Sequence, residues 1–325
     1  MKLQILVPQY KETDEVVKPL LDSIAVQQNV DFNEIGVIIV NDGTDVRLSE
    51  QLLNSYPFKI EYYLNEHKGV SATRNACLDH ATADYVMFCD ADDMFYTVCG
   101  LWIVFREMNI GQFDSLVSWF IEETRHPETK EVLYVDHQMD STFVHGKIHR
   151  RKYLINNNIR WNENLTIHED SYFNILCQKL SSNVKYCPTP FYLWKWRDDS
   201  VCRHDPKYIL KTYNNMLDSS TALIEEFLSR NRKEDAQFYV AGTVYDAYFT
   251  MNKDEWLNQE NQEYRMNTEK RFKEYYLNFK KLFDEMPQQK KNEIIVSIKN
   301  RFYQEGMFME SITFNDWIKH IENDL

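Results

Sequence analysis

Short β-prone runs that alternate with helical periodicity limit what the first hundred residues can fold into. Leu3 to Val7, Ile35 to Val40, Ile60 to Leu64 and Tyr85 to Cys89 are apolar runs of strand length. Between them, Val16, Val17, Leu20, Leu21 and Ile24 recur at helical spacing, and Val46 to Leu53 reads as a second helix. Ser71 to His80 reads as a third, with Ala72, Ala76 and Cys77 on one face. The alternation predicts an α/β fold, Rossmann-like, with a parallel or largely parallel sheet covered by helices on both faces. Such sheets bind ligands outside the carboxyl ends of their strands. The unusual residues of this chain fall there.

The fourth run ends abruptly in Asp90, Asp92 and Asp93, with small Ala91 between the first two. Side chains two apart on an extended chain share one side, and like charges so close repel unless a cation or donors offset them. Carboxylate oxygens suit a hard divalent ion such as Mg²⁺ or Mn²⁺. The competing account is a solvated turn after a buried strand.

With 43% hydrophobic and 14% aromatic residues in 325, the chain can build a substantial core, which excludes a disordered polymer. A net charge of −13 argues against a protein whose main task is gripping a nucleic-acid backbone. The first residues turn polar too quickly for a signal peptide, and no apolar run is long enough to span a bilayer. The six cysteines form no C-x-x-C pair and read as buried thiols of a reducing, cytoplasmic compartment.

Residues 115–149 are more strand-like, with a turn near His126 to Lys130, and Glu169 to Leu180 reads as a helix. Beyond His204-Asp-Pro206 the chain turns helical. There Phe272, Tyr275, Tyr276, Phe279, Leu282, Phe283 and Met286 form one apolar stripe, read as core packing. We therefore expect an α/β domain over 1–205 and an α-helical domain over 206–325, serving as an acceptor platform or an oligomer contact.

Further segments stand at the strand ends. Pro8-Gln-Tyr-Lys-Glu12 follows the first strand, where proline stops the strand and Tyr10 offers a flat face to a planar base. Asp42, before Gly43, is placed to accept from a base imide or a ribose hydroxyl, unless Asn41-Asp-Gly43 is a plain turn. Gly69 opens a helix whose N-terminus favours anions, and Arg74 one turn later pairs with a phosphate or base, or merely with a surface acid. Glu169 and Asp170 open the later helix, where acids are also ordinary N-terminal residues.

In this order the segments resemble the family 2 glycosyltransferases of the GT-A fold, from Lys2 to about Arg203. The family's P-x-Y-N is here Pro8-Gln-Tyr-Lys11, its V-D-D-G-S is Val40-Asn-Asp-Gly-Thr44, and its G-x-x-x-A-R-N is Gly69-Val-Ser-Ala-Thr-Arg-Asn75. Its D-x-D is Asp90-Ala-Asp92, its G-K-x-x-R-R lies in His145 to Arg151, and its E-D is Glu169-Asp170. Lys11 and Asn41 depart from the pattern and leave base recognition to Asp42.

The resemblance implies a UDP-sugar donor, Mn²⁺ or Mg²⁺, and inversion at the anomeric carbon. It implies donor contacts from Pro8, Tyr10, Glu12, Asp42, Gly69, Arg74, Asp90 and Ala91, and a metal held by Asp92 with Asp90. Asp170 would be the base, with Glu169 orienting it or a sugar hydroxyl. His204 is a further metal-ligand candidate or a structural histidine, and Arg197 and Arg203 would close on the diphosphate, bind a phosphate-bearing acceptor, or pair at the surface. The basic stretch Lys147 to Lys152 begins a helix in the family pattern; it is a solvated face or a contact for an anionic acceptor. A cell-surface glycan or phosphopolymer heads the acceptors, with a hydroxymethylated DNA base as an alternative that the acidic balance disfavours. Nucleotidyl transfer onto a sugar phosphate usually needs a glycine-rich first loop, which is missing here. A non-catalytic carbohydrate or nucleic-acid binder would have no reason to keep Asp90, Asp92 and Asp170.

Overall fold

The computed structural model describes residues 1–126, 128–198, 200, 207–304, 306 and 312–323. Two compact units divide between Ser200 and Val201. The expected boundary at 205 falls among residues outside those described.

The first unit is built on one sheet of nine strands: β1 (Leu3–Gln9), β2 (Ile35–Asp42), β3 (Lys59–Asn65), β4 (Tyr85–Phe88), β5 (Met94–Phe95), β6 (Ser115–Arg125), β7 (Val132–His137), β8 (Lys147–Arg150) and β9 (Val184–Trp194). The order is β3-β2-β1-β4-β8-β6-β9-β5, with β7 paired to β6. β3, β2, β1 and β4 are parallel, as the alternation predicts. Beyond β4 the sheet turns mixed, because β8 runs antiparallel to both β4 and β6.

β1 and β2 are buried along almost their whole length, which is why they read as unbroken apolar runs rather than alternating ones. On one face Leu3, Ile5 and Val7 pack with Val17, Leu20, Leu21 and Ile24 of α1 (Asp14–Ala25). On the other, Phe88 meets Trp161 and Phe173 edge-on. α2 (Glu50–Leu53) is shorter than the pattern suggested: Ser49 accepts from the Leu52 amide and caps it, so helix begins only at Glu50. α3 (Val70–His80) packs on β1 and β2, and α4 (Gly100–Ile110) contributes Leu101, Val104 and Phe105 to the core. α5 (Arg151–Asn156) and α6 (Glu169–Lys179) complete the unit.

Two local readings need correction. Pro8 does not end β1: it lies in register with Val40, and the strand runs on to Gln9, which a parallel strand tolerates where the missing N–H is not needed. The basic stretch is no solvated helical face either. Lys147 and His149 are buried in β8, and only from Arg151 does helix begin. Lys147 donates to the Phe143 carbonyl and lies 3.7 Å from Asp140. Burial draws its ammonium down to about 8, against the pull of Asp140 and Asp170. Burial, then the charge of Lys147, depresses His149 to about 3, so it stays neutral and shares a hydrogen bond with Ser115 Oγ.

The second unit is helical: α7 (Tyr208–Ser229), α8 (Lys233–Met251), α9 (Asp254–Leu257), α10 (Gln262–Asp284), α11 (Gln288–Gln304) and α12 (Phe314–Asn323). The aromatic stripe of α10 is core, with Phe272, Tyr275, Tyr276, Phe279 and Phe283 buried against α7 and α8. No helix among the described residues is long and apolar enough to cross a membrane. Cys77, Cys89, Cys177 and Cys187 are buried free thiols, and Cys99 is half-buried.

Asn41, where the family pattern has Asp, is fully buried and fills its hydrogen-bonding capacity. Its Nδ2 donates to Gln9 Oε1 (2.6 Å) and Val46 O (2.8 Å), while its Oδ1 accepts from Thr44 N (3.0 Å) and Arg47 Nη1 (2.9 Å). Asn41→Asp would set an acceptor against the two acceptors that Nδ2 now satisfies. Urea denaturation is expected to show a loss of about 1–3 kcal/mol, although the substitution restores the commoner residue.

Candidate active site

At the carboxyl ends of β1, β2 and β4 lies an open cavity of about 350 Å³. Pro8, Tyr10, Glu12, Asp42, Gly69, Arg74, Asp90, Ala91 and Asp92 all line it. His67, Gln9, Val70 and Thr73 also line it and were not singled out from the sequence. The loop between β3 and α3 forms one wall. Asp42, almost fully buried, binds that loop by accepting from the amides of Lys68 (2.9 Å) and Gly69 (3.0 Å) and from His67 Nδ1 (2.9 Å). Gly69 takes a φ of 90° to start α3, and the space where its side chain would stand is open. The His67 ring stacks on Tyr10, with centroids 4.9 Å apart.

α3 is also the template for the opposite side of the site. Asn75 exchanges hydrogen bonds with the backbone of Trp161, and Ser71 donates to Leu165 O. The segment so held leads into α6, whose first residues are Glu169 and Asp170. His168, just before it, adopts the left-handed region with φ 63°, a conformation that a non-glycine residue keeps only when its surroundings enforce it.

Arg74 joins the two sides. Its side chain is only 5% exposed, so it is no surface salt-bridge residue. Nη2 donates to Asp90 Oδ1 and Nη1 to Glu169 Oε1, both at 2.9 Å, while the guanidinium lies 4.5 Å over the Trp161 ring. Neither Glu169 nor Asp170 lines the cavity itself; Arg74 connects Glu169 to it.

Electrostatics separates the three acids after β4. Burial works to raise Asp90, but Arg74 and then His145 override it and hold the carboxyl below its usual value. Asp92 is raised by burial and by Asp90, against Arg197, whose Nη1 donates to Asp92 Oδ2 at 2.9 Å and stands 3.7 Å from Glu12. Asp93 is 1% exposed and is driven well up by burial, then by Asp92 and Asp90. It accepts from Tyr192 Oη (2.5 Å) and from the Lys195 amide (2.9 Å). Asp170, half-buried, is pushed up to about 7 by burial first and Glu169 second, against Arg74, the Ser171 amide and Lys147.

Two donor sets present themselves for a cation. Atoms of Asp90, Asp93 and His145 lie within 4.8 Å of one another. Asp93, however, is already engaged and leans toward its neutral form, which makes it a poor ligand. Asp92 lines the cavity and holds a cationic side chain, and the oxygen donors of Asp90 and Asp92 fit a hard divalent ion. His204 and Arg203, expected to contribute, lie outside the described residues.

A half-parallel sheet with an acid-rich cavity at its strand ends, and Glu169 tied to that cavity by arginine, is the architecture of the GT-A fold. Comparison with known proteins agrees. Residues 4–99 match the family described as Glycosyl transferase family 2. An uncharacterized glycosyltransferase, YibD of Escherichia coli, is 23% identical over 73% of this chain and 74% of its own length. A poly(ribitol-phosphate) beta-glucosyltransferase of Bacillus spizizenii is 26% identical over 57% of this chain and 31% of its own. TarS 1–349 of S. aureus, solved with UDP-GlcNAc, superposes with a TM-score of 0.61 at 17% identity, covering 95% of this chain and 93% of that one. The chain spans only 13% of another relative, the glycosyltransferase GlyA of Streptococcus pneumoniae, which is 32% identical over 28% of this chain. Residues 4–99 thus match the family 2 glycosyltransferases, and the chain shares the fold of GT-A enzymes.

Replacing Arg74 by Met leaves Asp90 and Glu169 facing each other without their cation. We expect a loss of about 3 kcal/mol or more in chemical denaturation and loss of nucleotide binding by calorimetry. Arg74→Lys should rescue only part of both, because an ammonium cannot fork between two carboxylates.

Proposed function

We propose that the chain transfers a hexose or N-acetylhexosamine from a UDP-sugar to an acceptor hydroxyl, with inversion. The observation that carries this reading is the Arg74 bridge, which couples the cavity acids to the acids that open α6. The cavity has the features a nucleoside diphosphate needs. Tyr10 and His67 offer a stacked aromatic pair beside Asp42 for the base, and the start of α3 at Gly69 offers amides to an anion.

Asp170 is the base in this reading. Its carboxylate takes the proton from the acceptor hydroxyl as that oxygen bonds to the anomeric carbon, while the bond from that carbon to the diphosphate breaks and UDP departs. An elevated carboxyl suits the task, since a base titrating near neutrality combines availability with affinity for the proton. Glu169, fixed by Arg74, keeps its neighbour from ionising at ordinary carboxylate pH and orients the start of α6. Asp92 and Asp90 would hold Mn²⁺ or Mg²⁺, and such an ion would offset charge growing on the leaving diphosphate. Arg197, now on Asp92, is the side chain placed to meet that diphosphate.

For the acceptor we favour a glycan or phosphopolymer of the cell surface, on the strength of the relative that acts on poly(ribitol phosphate). The stretch Lys147 to Lys152 lends that choice no support. Lys147 and His149 are interior, Arg150 pairs with Asp114, and Arg151 Nε is bound to the Ala83 carbonyl.

A donor screen that reads released UDP with Mn²⁺ or Mg²⁺ tests the reading: turnover of a UDP-sugar is expected, lost with a chelator and regained with metal. A non-catalytic binder would show none. Asp170→Asn should abolish transfer while sparing donor binding. Because Asp170 must be deprotonated to act and its carboxyl is raised to about 7, kcat/KM should fall about tenfold per pH unit below neutrality and level off above it. A rate that stays flat down to pH 5 would remove Asp170 from the role of base.

A further inference from the structure

Arg197 and Asp92 meet at the cavity wall. Arg197 Nη1 donates to Asp92 Oδ2 at 2.9 Å and stands 3.7 Å from Glu12 Oε1. Both acids line the cavity, and Glu12 is itself held by accepting from the Tyr10 amide at 2.7 Å. The guanidinium therefore lies between two anionic side chains, where the cavity offers negative charge to an incoming cation.

The backbone that carries Arg197 is anchored to the same turn as Asp92. Tyr192 Oη accepts from the Asp90 amide (3.2 Å) and donates to Asp93 (2.5 Å), and the Lys195 amide donates to Asp93 (2.9 Å). β5 pairs with β9 through Met94↔Leu193 and Phe95↔Tyr192. Regular strand ends at Trp194, shortly before Arg197. The anchor keeps the arginine within reach of Asp92, while its side chain is 32% exposed and has solvent to swing into. Arg74 is the contrasting case. Almost fully buried, forked between two carboxylates and stacked on Trp161, it is part of the core.

A hard divalent ion needs a carboxylate oxygen in direct contact, at about 2.1 Å for Mg²⁺. A guanidinium on the same carboxylate already neutralises its charge and repels the arriving ion, so the two bind Asp92 antagonistically. A partly exposed ion pair contributes little stability, which makes Arg197 the partner that yields. A diphosphate offers it a better place, because arginine favours the paired oxygens of a phosphate.

We propose that Arg197 is a built-in competitor for the cation on Asp92, so that the nucleotide-free protein holds a divalent metal weakly and a diphosphate, by drawing the guanidinium to itself, hands Asp92 to the metal. Metal and nucleotide then bind cooperatively, and by linkage each strengthens the other by the same factor. The part played by the diphosphate rests on the sugar-nucleotide reading of the cavity; the contest between Arg197 and the metal does not.

The test is titration of Mn²⁺ into the nucleotide-free protein at about pH 8, above the ordinary carboxylate range, following the electron paramagnetic resonance of the free ion. Arg197→Met should bind Mn²⁺ about tenfold more tightly than wild type, the factor expected if the arginine occupies Asp92 about nine-tenths of the time. Arg197→Lys, which keeps a cation at the same position, should fall between them. An arginine with a merely structural role would leave metal binding unchanged or weaken it on removal. Adding UDP should tighten Mn²⁺ binding more in wild type than in Arg197→Met, because only wild type has an arginine to relocate. Arg197→Met that binds Mn²⁺ no better than wild type, or no binding by either protein up to about 10 mM, overturns the proposal. Equal tightening by UDP in both proteins overturns its diphosphate half. Failure of every UDP-sugar to turn over is a separate result, which removes the sugar-transfer reading and leaves the Mn²⁺ comparison standing.

Discussion

The rim at the carboxyl ends of the strands is held together by one buried guanidinium. Arg74 reaches Asp90, 16 residues on, with one nitrogen and Glu169, 95 residues on, with the other. A buried cation costs several kcal/mol in desolvation and is kept only when its partners are well aimed. The fork geometry of arginine meets that condition for two carboxylates that are not neighbours. Stacking on Trp161 covers its flat face, and Trp161 is itself held by Asn75, the next residue along α3. Adjacent residues of one helix thus do complementary work: Asn75 places the segment that leads to α6, and Arg74 fixes the acid at its start.

Much of this was legible because it is local. Strands buried on both faces announce themselves as apolar runs, and the charged residues that interrupt them mark the rim where ligands of such sheets bind. Asp90, Asp92, Asp42, Gly69 and Tyr10 were readable as a group for that reason, and the cavity unites them. What was illegible was pairing across distance. Lys147 and His149 look like a solvated basic patch, since nothing nearby in the chain reveals that Asp140, the Phe143 carbonyl and Ser115 will enclose them. Arg74 looked equally like a ligand residue or a surface partner until Glu169 came into contact with it. His67 carries no signal of its own: a histidine two residues before a helix-opening glycine gives no sign that Asp42 and Tyr10 will hold its ring.

The antiparallel half of the sheet has a similar explanation. Parallel strands linked by helices read as apolar runs separated by segments of helical period, which a sequence displays. The insertion of β8 between β4 and β6 is a matter of which strand pairs with which, and its four residues carry no period at all. That insertion nevertheless brings His145 and Lys147 beside the acids, where they add smaller pulls on Asp90 and Asp170 to the larger effects of burial, Arg74 and Glu169.

The three acids after β4 show how a run of like charges is made tolerable without making its members equivalent. Asp90 remains ionised because Arg74 outweighs its burial. Asp93 takes the opposite course: fully enclosed, it shifts toward the neutral form and serves as a structural acceptor for Tyr192 and the Lys195 amide, tying the end of β9 to the turn. Asp92, between these extremes, is raised by burial and by Asp90 and is met by Arg197, a side chain about a third exposed. Of the three, Asp92 alone lines the cavity with its charge balanced by a partner that solvent can reach. A carboxylate in that position would gain most from an incoming divalent ion, because Asp90 has its counter-charge built into the core and Asp93 is engaged by Tyr192 and the Lys195 amide.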